Sequence, residues 1–186
     1  SYIMQKKGSE GGSFGMIFIS GTKTSMPHGK PSHKVIEEGD FVTIDFGAKC
    51  GGYGSDMTRT FAVGYATDEM KKIYDIVLKA QLAGIEALEV GKECRLVDKA
   101  ARDVIAQAGY GEYFRHGLGH SLGLNIHENP KASMTYEGTF KQGNVITIEP
   151  GIYIPGKGGV RIEDMMYLAP EGKRNLTEFP KELMIL

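Results

Sequence analysis

The stretch HGLGHSLGLNIHENP, residues 116–130, gathers three of the chain's five histidines, His116, His120 and His127, between glycines. An imidazole can ligate a metal, shuttle a proton or hydrogen-bond a developing charge near neutral pH. Spacings of four and seven single out none of these, so the chemistry depends on what the rest of the chain supplies. It supplies acids. Asp45 lies in VTIDFG, Glu149 in ITIEPG and Glu163 in VRIEDMM, each inside an apolar, strand-like run, and Asp56 follows in GSDMTRTF. One such acid is equally well explained by a lysine or arginine partner or by solvent. Four together are not, because buried carboxylates need compensation. Two of them about 4 Å apart repel by roughly 4 kcal/mol at an effective dielectric near 20.

Two divalent cations would neutralise four carboxylates, and oxygen ligands with one imidazole suit Mn, Co, Fe or Zn. A pair of ions bridged by shared carboxylates can hold one water, lower its pKa and polarise a carbonyl at the same time. That is a design for hydrolysis. A zinc-binding helix with two histidines four apart is a poor alternative reading of HGLGH. Gly117 and Gly119 oppose a helix there, and no glutamate follows His116.

These side chains need elements to hold them. FGMIFISG (14–21) is an apolar, β-prone run closed by glycine, which predicts a buried strand. Residues 37–64 read as two strands joined by a glycine-rich hairpin. The period then changes: Met70, Ile73, Tyr74, Val77, Leu78, Leu82, Ile85 and Leu88 carry helical spacing. Thr67 is the expected N-cap, with Asp68 and Glu69 in the first turn and Gly91 as the stop. A second helix is expected from Leu96 to Ala108, ended by Gly109, and the opening SYIMQKKGSEGG reads as the tail of a helix ending at Gly8. Strands resume in the histidine segment, in NVITIEPGIYI (144–154) and in GGVRIEDMMYLA (159–169). The order predicts an α+β domain with one largely antiparallel sheet and helices packed to one side.

Bulk properties narrow the class. A length of 186 residues is about one domain with a real core. Hydrophobic content of 41% and charged content of 24% are those of a globular protein. Net charge is −1 with no basic run, which argues against nucleic acid and anionic membranes as partners. No apolar stretch approaches the roughly 20 residues that cross a bilayer. Cys50 and Cys94 sit in no metal or redox spacing, which favours a cytoplasmic setting.

The ordered set Asp45, Asp56, His120, Glu149 and Glu163, with the two Asp eleven positions apart, resembles the pita-bread metallopeptidases. That family includes methionine aminopeptidase, Xaa-Pro aminopeptidase and Xaa-Pro dipeptidase (prolidase). The likeness runs over essentially the whole chain, through SGTKTSMPHG, DFGAKCGGYGSDMTRT, HGLGHSLGLNIHENP, TIEPGIYIPGKGGVRIED and PKELMIL. It implies a curved, largely antiparallel sheet with helices on its outer side. It also implies that Asp45 chelates one metal, His120 and Glu149 the other, and that Asp56 and Glu163 bridge both. Glu149 is similarly placed to the family's general base. His28 in MPHG, His116 and His127 would line the cleft and donate hydrogen bonds to the substrate carbonyl and developing oxyanion, while His33 reads as surface. Tyr153 and Arg161 would stand near the metals as cleft and supporting residues, and the plainer reading of Arg161, an ion pair to Asp164 or Glu163, is compatible with that role.

SDMTRTF, HENP and EPGIYIPGKGGVRIED look like the Xaa-Pro branch. The resemblance therefore implies an Xaa-Pro aminopeptidase with two divalent ions, Mn first and Co, Zn or Fe as substitutes. Its substrate would be a peptide with proline second. Prolidase is the alternative, followed by methionine aminopeptidase and by a non-catalytic binding module of the same fold. Relatives in this branch carry a separate N-terminal domain and then helices before MQKKG. Residues 1–186 are thus expected to be a catalytic domain without those parts, with a homodimer open to the full-length protein.

Overall fold

The computed structural model of the protein describes residues 2–186. A short helix, α1 (Tyr2–Lys6), leads to strands β1 (Gly11–Gly12) and β2 (Ile17–Ser20) and a 3-10 turn over Gly21–Ser25. Strands β3 (Phe41–Phe46), β4 (Ala48–Cys50), β5 (Tyr53–Gly54) and β6 (Met57–Ala62) follow. Helices α2 (Asp68–Ala87) and α3 (Cys94–Gln107) separate these from the second group of strands. That group is β7 (Gly119–Ser121), β8 (Glu128–Ala132), β9 (Val145–Ile148), β10 (Gly151–Ile154), β11 (Gly158–Arg161), β12 (Asp164–Ala169) and β13 (Gly172–Asn175).

The expected α+β order is present, and the strand-to-strand ladders are antiparallel. The sheet, however, is divided. β2-β3-β6 form one ladder, β13-β12-β9-β7-β8 a second, β10-β11 a third and β1-β4-β5 a small rim sheet. The segment 144–154, expected as one strand, breaks at Glu149–Pro150, where proline lacks the amide a central ladder would use. The segment 159–169 breaks opposite it, at Ile162–Glu163. Ile148 pairs with Asp164 on one side of the break and Gly151 with Arg161 on the other. The two strands therefore change ladders together, and the two glutamates sit at the matched switch points.

The glycine-rich connection between β3 and β6 also does more than turn. Its strands β4 and β5 fold away as a hairpin whose β4 edge pairs with β1. The step aside needs Gly47, because a Cβ there would lie 1.7 Å from the Ser55 carbonyl oxygen.

The helices cover one side of the strands. Thr67 caps α2 as expected, its hydroxyl accepting the Met70 amide at 3.2 Å. The helix stops at Ala87, short of Gly91, because Leu88 turns inward and is fully buried. α2 buries Ile73, Tyr74, Val77, Ala80 and Gly84, and α3 buries Val97, Ala101 and Ile105. Their counterparts are Leu118, Ile146, Ile148, Ile152, Val160 and Ile162, each worth roughly 1.5–3 kcal/mol when removed from water. This core backs directly onto the acids and histidines.

Gly119 shows how tightly the site strands are drawn together: a Cβ would fall 1.8 Å from the Thr147 carbonyl oxygen. Gly119→Ala should push β7 from β9 and destabilise the fold by about 1–3 kcal/mol, the usual range for overpacking. Denaturant unfolding of the variant checks this, and an unchanged midpoint would show that the two strands have slack.

Candidate active site

Register explains why distant acids meet. Asp45 on β3 pairs with Thr58 on β6, and Asp56 lies just before that strand. His120 sits in the middle of β7. Glu149 and Glu163 enter from the two switch points. Nε2 of His120 lies 3.3 Å from Glu149 Oε1 and 3.7 Å from Asp56 Oδ2. Ligand atoms of Asp56, His120 and Glu163 all fall within 4.8 Å of one another. Asp45 and Glu149 stand beside this triad. All five line a cleft of about 300 Å³ together with His28, His116, His127 and Arg161.

The donor set passes a direct test for cations. Among the described residues, the buried side-chain polar atoms with no hydrogen-bond partner are Asp45 Oδ1, Asp56 Oδ1 and Glu163 Oε1. Native interiors rarely leave such atoms unpaired, and here three carboxylate oxygens do so in one cleft. Their other oxygens are accounted for in two cases: Asp45 Oδ2 accepts Arg161 Nη2 at 2.6 Å, and Glu163 Oε2 accepts the Thr58 hydroxyl at 2.7 Å. Nδ1 of His120 lies 3.1 Å from the Ser121 carbonyl, so that nitrogen carries the proton and Nε2 presents its lone pair to the acids. Hard oxygens with one imidazole nitrogen suit divalent metal ions.

Electrostatics agrees. Burial, with Asp45 and Glu149 nearby, raises Asp56 to about 9. Burial raises Glu149 to about 7, against the opposing pull of Arg161. Glu163 is raised as well, by burial and then by Glu149 and Asp56. His120 is lowered by burial, which keeps its imidazole neutral and able to ligate.

Several supporting residues were not singled out from sequence. The Thr58 hydroxyl donates to Glu163 and receives Arg161 Nε at 3.0 Å. The Thr147 hydroxyl donates to Glu149 Oε1 at 3.0 Å and receives the His120 amide, also at 3.0 Å. Thr147 lies two residues before the acid it holds, a spacing the sequence displays, whereas Thr58 meets Glu163 across 105 positions and had no local signal. Arg59, 2% exposed, donates to the Thr58 and Glu163 carbonyls and pairs with Asp164 at 2.7 Å. That takes Asp164 away from Arg161. The plainer reading of Arg161, a pair with Asp164 or Glu163, is therefore corrected: its ion partner is Asp45.

The histidines divide by exposure. His28 and His127 are exposed at the cleft, and His33 is exposed as expected. His28 is delivered by the 3-10 turn, which Thr24 ties to the Gly159 amide at 2.8 Å. Arg161 Nη1 holds the neighbouring Pro27 carbonyl at 3.1 Å. His116 differs from the expectation that it donates to substrate. Its Nδ1 is 2.8 Å from the Gly117 carbonyl and must carry the proton, while Nε2 is 2.9 Å from Tyr153 Oη. Burial lowers this imidazole to about 4, so Nε2 accepts the tyrosine O–H. Neither ring nitrogen is left for a ligand, and Tyr153 in turn receives Arg161 Nη1 at 3.1 Å.

The class follows from fold and site together. Residues 1–170 match the profile of metallopeptidase family M24, and the chain belongs to that family. Its fold is the pita-bread fold, and membership carries divalent metal ions with it. The chain is 47% identical over 183 residues to the Xaa-Pro dipeptidase of Pyrococcus horikoshii, covering 98% of this chain and 52% of that protein. Among solved structures, an Xaa-Pro dipeptidase from Bacillus anthracis aligns with a TM-score of 0.97 at 50% identity, over 100% of this chain and 52% of the other. An X-Pro aminopeptidase from Thermotoga maritima aligns at 0.96 and 42% identity, over 100% of this chain and 53% of the other. The chain spans about half the length of these relatives. No helix among its described residues is long and apolar enough to cross a membrane.

The raised carboxylates predict a pH-dependent fold when metal is stripped. Their folded values lie above their ordinary ones, so this stability is fully present below about pH 4. It is lost as pH rises through about 7 for Glu149 and about 9 for Asp56. The melting midpoint of chelator-treated protein should fall across that window. Excess Mn should raise it again, since a ligand at a hundredfold over its dissociation constant adds about 2.7 kcal/mol of stability. A midpoint indifferent to chelator, metal and pH would argue that the acids do not share a cation site.

Proposed function

We propose that this chain is the catalytic domain of a dinuclear-metal-dependent Xaa-Pro aminopeptidase, releasing the first residue from a peptide with proline second. The observation that carries the reading is a single cleft in which Asp45, Asp56 and Glu163 each keep a buried carboxylate oxygen without a partner and ligand atoms of Asp56, His120 and Glu163 lie within 4.8 Å of one another. A second reading, Xaa-Pro dipeptidase, is favoured by the relatives at 47% and 50% identity, which bear that name, against 42% for the aminopeptidase. Mn is the proposed metal, and a cytoplasmic location accords with two free cysteines.

Asp45, Asp56, His120, Glu149 and Glu163 would hold the ions. When bound, such ions activate water and polarise the scissile carbonyl. Glu149 accepts the proton of the attacking water. Thr147 donates to its Oε1, the oxygen that also lies 3.3 Å from Nε2 of His120, and so fixes the carboxylate in place. His28 and His127 donate to the carbonyl oxygen as charge develops on it. Arg161 holds Asp45, while His116, locked to Tyr153, forms the wall against which the proline ring rests. An Xaa-Pro bond has no amide N–H, and its ring fixes φ near −65°. A cleft for it selects by shape and by the free amino group near Asp45, which needs no β-ladder.

Two experiments test this. Glu149→Gln should lower turnover by about 10²- to 10⁴-fold, the usual contribution of a general base, with the protein still folded by circular dichroism. Full activity in that variant would place the base elsewhere. The second compares Ala-Pro, Ala-Pro-Ala and Ala-Ala-Ala, with Met-Ala-Ser as a control. Proline should be preferred to alanine at the second position by roughly 10- to 200-fold. Preference for the proline tripeptide supports the aminopeptidase, and preference for the dipeptide supports prolidase. Faster cleavage of Met-Ala-Ser would refute the proline assignment.

A further inference from the structure

We propose that Asp98 and Arg102, an acid–base pair on α3, are positioning residues that set the backbone of 114–118 and through it His116 and Glu149. The inference rests on the peptidase reading above for its functional consequence and on hydrogen-bond geometry for its structure.

A pair four residues apart on a helix normally bridges one turn in water. Lys99 and Asp103, one position along α3, do this, with side chains 53% and 48% exposed. Asp98 and Arg102 turn the other way: the Asp98 side chain is 0% exposed and that of Arg102 26%. Arg102 spends Nε and Nη2 on the two oxygens of Asp98, at 2.7 and 3.0 Å. The rest of the fork reaches across to the histidine segment. Nη1 donates to the Phe114 carbonyl and Nη2 to the His116 carbonyl, both at 2.7 Å. The guanidinium carbon lies 4.2 Å from the centroid of the Phe114 ring, whose edge meets His116 at 5.1 Å. Asp98 Oδ1 also accepts the Leu118 amide at 2.9 Å.

One buried and one half-buried side chain thus hold three backbone groups over five residues, in a segment with no ladder of its own. The consequences reach the cleft by two short routes. His116 keeps its ring orientation by donating to the adjacent Gly117 carbonyl, so the ring follows the backbone that Arg102 holds. The Leu118 carbonyl accepts the Glu149 amide at 2.8 Å, so the strand switch carrying Glu149 hangs from the residue that Asp98 holds. Only a planar fork can meet a carboxylate and two carbonyls together. A lysine keeps the charge and loses that geometry.

The test uses the full-length, metal-loaded protein. Arg102→Lys should lower kcat on the proline peptides by about 10- to 100-fold, the range for residues that orient metal-site groups from behind. KM, metal content and secondary structure should change little. Lys99→Ala, which breaks the neighbouring exposed pair, should leave kcat and KM at wild-type values. A second readout does not depend on activity. In ¹⁵N spectra of the imidazoles, wild-type His116 should show the Nδ1–H tautomer, and Arg102→Lys should shift its ring signals while those of exposed His33 stay put. If Arg102→Lys does not fold, Asp98→Asn takes its place: it keeps an oxygen for the Leu118 amide and removes the charge facing Arg102. Wild-type kcat, or unmoved His116 signals, in a folded clamp variant would overturn the proposal. If the wild-type protein cleaves none of the peptides, the peptidase reading fails, and the His116 signals alone decide the clamp.

Discussion

Four carboxylates share one cleft with one guanidinium, and the rest of the structure answers to that crowding. Arg161 neutralises Asp45 at 2.6 Å, and Asp56, Glu149 and Glu163 have no such cation against them among the described residues. At about 4 Å and an effective dielectric near 20, each unrelieved pair is worth roughly 4 kcal/mol of repulsion. The chain meets this in two ways. Burial and mutual repulsion hold Asp56, Glu149 and Glu163 toward their protonated forms, and the unpartnered oxygens belong to acids that line one cleft, where cations can take over. A site of this kind is stable in either of two charge states and poorly stable between them.

Holding such a cluster together requires rigid surroundings, and these are built from hydroxyls and arginines. Thr58 and Thr147 each bridge an acid to a second group of the site, which fixes which oxygen faces the cleft. Arg59 and Arg161 lie on opposite sides of the strand pair. Arg161 faces the cleft and ties Asp45, Thr58, Pro27 and Tyr153 together. Arg59 faces the core side, where it links Glu163 and Asp164 to the carbonyls of Phe179 and Pro180 in the C-terminal tail. The tail is therefore coupled to the position of an acid in the cleft, and Asp164 receives Lys181 from the same segment at 2.8 Å.

The ladder switch at Glu149 and Glu163 is the backbone counterpart of this arrangement. A continuous strand would alternate its side chains between two faces and hold their amides in the sheet. Two residues released from each strand let both glutamates approach from the same side while Ile148, Ile152 and Ile162 remain in the core. Close strand approach at Gly119 then brings His120 within reach of the acids.

Residue type and local pattern determined much of this. The four acids, the two long helices with Thr67 as a cap and the antiparallel character were all legible, because acids inside apolar runs and a 3.6-residue period are local signals. His120, by contrast, stood out from its run only through the resemblance to a known family. The domain's division into several ladders was not legible. Pro150 marks the break in one strand, but the matching break at Ile162–Glu163 exists only through pairing with it. The role of Arg161 was decided by tertiary structure, since Arg59 takes Asp164 first and frees Arg161 for a partner 116 positions away. His116 shows the same limit. Three histidines in one run look alike as residues, yet exposure separates His127 from His116, whose two nitrogens are consumed by Gly117 and Tyr153. Hydrogen-bond partners remote in sequence compete for the same atoms, and only the folded chain settles that competition.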